Sequence, residues 1–284
     1  METWKTPYVG HFVSWDDGCM LIGRGGSVVP VHAHYAHQIA FGAIPGIRFR
    51  GSEREEWTEY PGAAIPSRQP HSMDVRHVQP NVVLFVEPET RQGRAIAERW
   101  LGDGIATLPW ELIESFGAPI FDAWQEQRSH AAMEQAAKKL VHELSGGVDP
   151  MALSDERILR AVAYIREHVD QPLTLEEVAA VAFLSPSRFR HLFVEQTGTA
   201  FRPYVLWRRF LKVWELLMNG ASLSGAAHAA GFADAAHLSR TSKQMFGFPP
   251  SLMQVGSPLV SGTRGHDGGG AWRSATAERG SERI

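Results

Sequence analysis

A single cysteine, Cys19, stands in the 284 residues, so the chain forms no internal disulfide and carries no thiolate-rich zinc site. A reducing compartment is expected. No run approaches the roughly 18 consecutive apolar residues that a membrane-crossing helix needs, and the opening METWKTPYVGHF lacks the basic-then-apolar layout of a secretion signal. These absences predict a cytoplasmic protein with no membrane partner. Strong charge of either sign is missing too, since 28 basic and 31 acidic residues leave a net of −3. Overall charge therefore selects no class of partner.

The charge is unevenly spread. Residues 1–150 hold 13 basic and 19 acidic side chains, net −6, whereas residues 151–256 hold 11 and 9, net +2. Phosphate would be repelled by the first half, so any nucleic-acid contact is expected in the second. With 44% apolar residues the chain has material for two separate cores.

Short apolar runs broken by Gly and Pro fill the first ninety residues (VVPVHAHY, IAFGAIPGIRF, AAIPS, NVVLFVEP), the pattern of a small antiparallel sandwich or barrel. Helical segments follow near 94–101, 109–116 and 130–144, the last placing Met133, Ala137, Leu140, Val141 and Leu144 on one face, to close the barrel or to form a dimer interface. The expected division is a β-rich domain with its following helices over 1–144, a Gly/Pro-containing linker over 145–152, a helical domain over 153–255 and a disordered Gly/Ser-rich tail over 256–284. Seven helices are predicted in the third part, at 154–169, 174–181, 185–196, 201–219, 224–230, 234–246 and 249–254, with Ser154 capping the first. The fold class is multidomain α+β.

The helical part repeats itself. LSPSRFRHLFVEQTG (184–198) lies over ADAAHLSRTSKQMFG (233–247) at an offset of 49, and each copy follows a short Ala-rich helix, EEVAAVA or GAAHAA. Small residues let two helices cross closely and steeply, as a helix-turn-helix requires. In the first copy Ser185 is the expected cap, Pro186 the first helical residue and Phe189, Leu192 and Phe193 the core stripe. That leaves Ser187, Arg188, Arg190, His191 and Val194 outward. Arginine grips guanine O6 and N7 with two hydrogen bonds, and His and Ser can serve base edges or phosphates. In the second copy Asp234 is the expected cap, and Ala235, Ala236, His237, Ser239, Arg240 and Lys243 face outward. Ala235 and Ala236 offer only methyl groups, so less base reading is expected there. Either face alone reads more readily as a solvated helix side; duplication at fixed spacing is what reverses the preference and favours DNA.

Residues 153–255 resemble the DNA-binding domain of the AraC/XylS family of transcriptional regulators. The matching stretches are LTLEEVAAVAFLSPSRFRHLFVEQTG, FRPYVLWRRFLKVWELL as connecting helix, and SLSGAAHAAGFADAAHLSRTSKQMFGFPPS. The resemblance implies a sequence-specific regulator that binds double-stranded DNA, is no enzyme, and has a homodimeric state and RNA polymerase as further partners. It puts the base-reading positions on Ser187, Arg190 and His191, then on Ala236, His237 and Arg240. Ser242 departs from a usual core Phe and Ala226 from a larger aliphatic, which predicts a looser second unit.

In the first half, His32 and His34 stand two apart on a predicted strand, hence on one face, with His37 and Gln38 beyond and His71 much later in PSRQPH. His37, of the other parity, is expected to face outward. The spacing resembles the cupin pattern, with Gln38 at the carboxylate position and Arg68 at a glycine position, and so implies a cupin-like β-barrel that senses a small-molecule effector. His32, His34, Gln38 and His71 then either hold a divalent transition metal or line an organic pocket without one. Arg48 and Arg50, of equal parity, either face the pocket toward an anionic ligand or, the reading preferred, form a solvated strand face, and Trp15, Trp57, Trp100 and Trp110 are read as core. The rival reading is a metal-dependent cupin enzyme fused to a DNA-binding module. A methyl-accepting repair protein would need nucleophilic cysteines, for which Cys19 gives little support.

Overall fold

The computed structural model describes residues 7–15, 17–26, 28–149 and 155–255. Its first part is built from β1 (Tyr8–Trp15), β2 (Gly18–Gly25), β3 (Val28–His32), β4 (His37–Gly42), β5 (Ile47–Arg50), β6 (Thr58–Tyr60), β7 (Gly62–Ile65), β8 (His71–Asp74) and β9 (Asn81–Val86). Then come α1 (Arg91–Trp100), β10 (Ala106–Leu108), α2 (Trp110–Leu112), a π-helical turn over Ile113–Gly117, α3 (Ala118–Gln125) and α4 (His130–Leu144). The second part holds α5 (Glu156–Glu167), α6 (Leu175–Val181), α7 (Pro186–Thr197), α8 (Phe201–Met218), α9 (Leu223–Ala229) and α10 (Ala235–Phe246). A 3-10 turn over Pro250–Leu252 and the strand β11 (Met253–Val255) end it.

The strands form two sheets, ordered β10-β7-β4-β9-β2-β1-β11 and β3-β8-β5-β6. They are open at their edges, where the sequence predicts a barrel. The larger sheet is buried on both faces. Along β9, Val83 and Phe85 point to the core between the sheets, while Val82, Leu84 and Val86 join a second core with Ile96, Ile113, Phe121, Met133 and Leu140. Two-sided burial explains why NVVLFV is continuously apolar rather than alternating. The apolar stripe of α4 is thus covered within the chain. Trp15, Trp57, Trp100 and Trp110, expected in the core, are only half-buried.

The helical part departs from expectation at both ends. Ser154 lies outside the described residues, as does the tail after 255, and Asp155 caps α5 by accepting from the Arg157 N–H. Residues 249–254 are not a helix. Pro249 and Pro250 permit a single tight turn, after which Met253–Val255 pairs in parallel with Tyr8–Gly10 and completes the sheet of the first part. Nor are the cores separate: Phe49, Phe85 and Tyr35 of the first part share one cluster with Trp207, Phe210 and Phe246 of the second.

Candidate nucleic-acid interface and the domain seam

Each helix-turn-helix unit is closed by local chemistry that the sequence carries. In the first, Thr174 and Glu177 form a reciprocal capping box on α6. Phe183 donates its N–H to Ala180 O and Leu184 to Ala179 O in the turn, and Ser185 caps α7 through the Arg188 N–H. In the second, Ser222 caps α9, Gly231 donates to His228 O and Phe232 to Ala227 O, and Asp234 caps α10 through the His237 N–H at 2.6 Å. Both recognition helices run 12 residues and end on a left-handed glycine, Gly198 at φ 67° and Gly247 at φ 78°. The turns match at an offset of 48 and the helices at 49, so the second unit has one extra residue between turn and cap. The turn residue itself needs a positive φ in both: Gly231 at 75° and, in the first unit, Phe183 at 55° with its ring exposed against Arg160.

Burial sorts the helix faces as expected. Phe189, Leu192 and Phe193 are buried in α7, while Ser187, Arg188, Arg190 and His191 are exposed. On α10, Leu238, Ser242 and Phe246 are buried, Ser239 is half-buried, and Ala236, His237, Arg240 and Lys243 are exposed. His237 leans its ring edge-on to Phe232 at 5.5 Å. Ser242 is fully buried. Its hydroxyl donates to Phe248 O at 2.8 Å, tying the end of α10 to the following turn.

Both recognition helices end against the β part, by different means. At the end of α7 the contacts are polar: Arg94 donates to Gln196 O at 2.7 Å, Tyr35 to Thr197 O at 3.1 Å, and Arg68 to the Thr199 hydroxyl. At the end of α10 they are apolar, Phe246 lying within 6.3 Å of Phe85 and 6.2 Å of Trp207. Between these two points Arg208 of α8 is buried on Glu87 at 2.8 Å, and Trp207 Nε1 also donates to Glu87. Burial alone would lower the Arg208 pKa, yet the Glu87 carboxylate beside it raises it. Glu89 lies against the Tyr35 hydroxyl, and burial, with the Glu87 charge second, holds its pKa well above the usual carboxylate value. Sequence reading missed this seam. Its one signal was a pair of acids, Glu87 and Glu89, closing an apolar strand, with Arg208 set among aromatics in YVLWRRF.

The histidine cluster lies at the same seam. His32, His34 and His71 are buried, and one ring nitrogen of each falls within 4.8 Å of the others. Each Nδ1 faces a backbone carbonyl: Pro30 O at 2.8 Å, Ala36 O at 3.0 Å and Gln69 O at 2.8 Å. In His32 and His71, donation there leaves Nε2 with its lone pair, whereas the His34 ring has an oxygen at each nitrogen and donates to one of them. His34 Nε2 lies 2.8 Å from Gln38 Oε1, and His71 Nε2 is buried with no hydrogen-bond partner. Burial pulls the imidazole pKa values down, His32 to about 3, His34 to about 4 and His71 well below the usual value, so all three are neutral. Three neutral rings with one nitrogen each within 4.8 Å of the others, and one buried nitrogen without a partner, fit a divalent transition ion.

His37 is not outward. It is buried, and its Nδ1 accepts from the Ser67 N–H at 3.0 Å; the strand breaks between His32 and His37, so parity does not carry across. Arg48 pairs with Glu59 on the exposed face, and Arg50 lies over Trp57. A cavity of about 40 Å³ adjoins the cluster, lined by His32, Gln38, Met73, Phe85, Phe246 and Phe248 among others.

Comparison with known proteins bears on the helical part. Residues 178–254 match a family described as a helix-turn-helix domain. The regulatory protein PocR of Salmonella typhimurium is 30% identical over 97 residues, 34% of this chain and 32% of that protein. The probable transcriptional regulator LumQ of Photobacterium leiognathi is 30% identical over 92 residues, 32% of this chain and 37% of that protein. This chain therefore spans about a third of the length of these relatives. The crystal structure of ToxT from Vibrio cholerae shares the two-part fold, with a TM-score of 0.50 at 11% identity over 88% of this chain and 96% of that one.

Proposed function

We propose that this chain is a sequence-specific regulator of transcription that binds double-stranded DNA and responds to an effector held by its β part, a reading supported by the match of residues 178–254 to a helix-turn-helix domain family. The observation that carries the reading is the pair of 12-residue helices, each capped at both ends and each turning a polar or basic face to solvent. Ser187, Arg190 and His191 are the principal base-reading residues, and Arg188 meets phosphate. Ala236 and His237 read less, Ser239 is half-covered, and Arg240 and Lys243 hold the backbone. A homodimer would set two such pairs on one operator.

Binding of the full chain to genomic fragments across a salt series tests the reading. Affinity should fall steeply with salt, and Arg190→Ala should weaken the selected site by about tenfold or more. An unchanged affinity for that variant would remove the proposed reading face.

The rival, a metal-dependent enzyme, draws on the same histidines. Against it stands the small cavity beside them, closed over by Phe246 and Phe248 of the helical part.

A further inference from the structure

The β part and the second recognition helix meet at the histidine cluster. Gly247, the residue that ends α10, packs so closely on β3 that a Cβ placed there would lie 2.7 Å from Val29 Cγ1, 2.9 Å from Pro30 O and 3.2 Å from His32 Nδ1. The preceding Phe246 stacks on His34 with ring centres 6.4 Å apart. His34 also meets Phe85 edge-on at 4.9 Å, and the rings of His32 and His71 are 4.3 Å apart. Two of the three imidazoles thus touch the last turn of a helix whose other end faces DNA in the proposed reading. The adjoining cavity of about 40 Å³ gives little slack.

We propose that His32, His34 and His71 bind one divalent transition ion of the imidazole-preferring class, such as Zn²⁺, Co²⁺ or Ni²⁺, and that the second recognition helix reads its occupancy through Phe246 and Gly247. The proposal rests on the DNA-binding reading and names its effector. An imidazole set without a carboxylate selects these ions over Mg²⁺ and Ca²⁺, which take oxygen ligands. The ring nitrogens now lie within 4.8 Å of one another. An ion with bonds of about 2.0–2.1 Å draws three nitrogens to about 3.4 Å. His71 Nε2 gains the partner it lacks, and the Gln38 amide oxygen or a water in the cavity completes the shell. Contraction moves His32 from beneath Gly247 and His34 from beneath Phe246. Interiors at packed density do not absorb such shifts locally, so the end of α10 must follow.

The test uses the full chain. Titration with Co²⁺ should give ligand-field absorption that saturates at one ion per chain, Zn²⁺ should displace it, and Mg²⁺ should not. His71→Gln should weaken Co²⁺ binding by about tenfold or more; circular dichroism checks that the variant is folded, and His32→Gln is the second variant. Zn²⁺ should change amide exchange over residues 243–248, and should alter affinity for the selected DNA by at least about fivefold in one direction. Phe246→Leu should keep the stoichiometry and lose the change in exchange and affinity. DNA binding by wild type with no Co²⁺ uptake, or uptake unaffected in both folded histidine variants, overturns the proposal. Uptake without change in exchange over 243–248 overturns the coupling. Uptake with altered exchange but no DNA binding would leave the metal site standing and remove the DNA reading instead.

Discussion

The two helix-turn-helix units are built alike and held differently. The first gathers its rings about Phe193, which lies 5.2 Å from Phe189, 6.2 Å from Phe201 and 5.3 Å from Tyr204. It meets the β part through hydrogen bonds at the end of α7 and through Tyr204, which lies edge-on to Tyr35 at 5.9 Å. The second packs alanines, Ala226, Ala227 and Ala230, behind α10, and its large rings, Phe246 and Phe248, lie in the core that it shares with the sheets. The second is the unit whose recognition helix sets an aromatic ring of its last turn against the sheets, Phe246 on Phe85.

The largest effects should come from removing a ring on either side. Phe193→Ala and Phe246→Ala should each cost about 3–5 kcal/mol in urea unfolding. Amide exchange should separate them: the first should loosen α7 and α8, the second α10 together with β4 and β9. If Phe246→Ala left the sheets protected, the shared core would not be cooperative. Next, Glu87→Gln should cost about 3 kcal/mol, since it strands the buried Arg208 that sits between the two units.

On DNA the asymmetry should favour the first unit. Arg190→Ala should lose about 1–3 kcal/mol of affinity and relax specificity at one base pair. Lys243→Ala should weaken all sequences evenly and reduce the salt slope by about one. Equal base-specific losses from the two would erase the distinction.

Smaller still is the response of Glu89. Its folded pKa lies well above 4.5, raised by burial and then by Glu87. The stability linked to its proton is therefore full below the unfolded value and is lost as pH rises through the folded one. Denaturation of the wild type should show that loss, and Glu89→Gln, which keeps an uncharged partner for Tyr35, should not. Least of all, Phe183→Gly should make the first turn like the second and shift stability by less than about 1 kcal/mol, relief at φ 55° offsetting the lost contact with Arg160.

Much of this was legible in the sequence because it is local. Caps, turn glycines and stripes such as Phe189, Leu192 and Phe193 are set by residues within one or two turns, and they define the repeat, its boundaries and its outward faces. The three histidines were legible as a group, though not as a cluster against α10. What stayed hidden depends on distant partners. Nothing near Met253 says that it pairs with Tyr8, nothing near Ser242 says that Phe248 O will accept its proton, and His37 is buried by Ser67 across a strand break. The one-residue difference between the repeats also escaped alignment on glycines, because it falls in the turn.

The pairing of Met253–Val255 with Tyr8–Gly10 has a practical consequence for dissecting the molecule. Cutting the chain at its linker would bare the outer backbone of β1, together with the apolar hollow that Phe246 and Phe248 fill. An uncovered strand of that kind recruits other copies of itself. Self-association of the isolated β part would then report a wound rather than a native dimer.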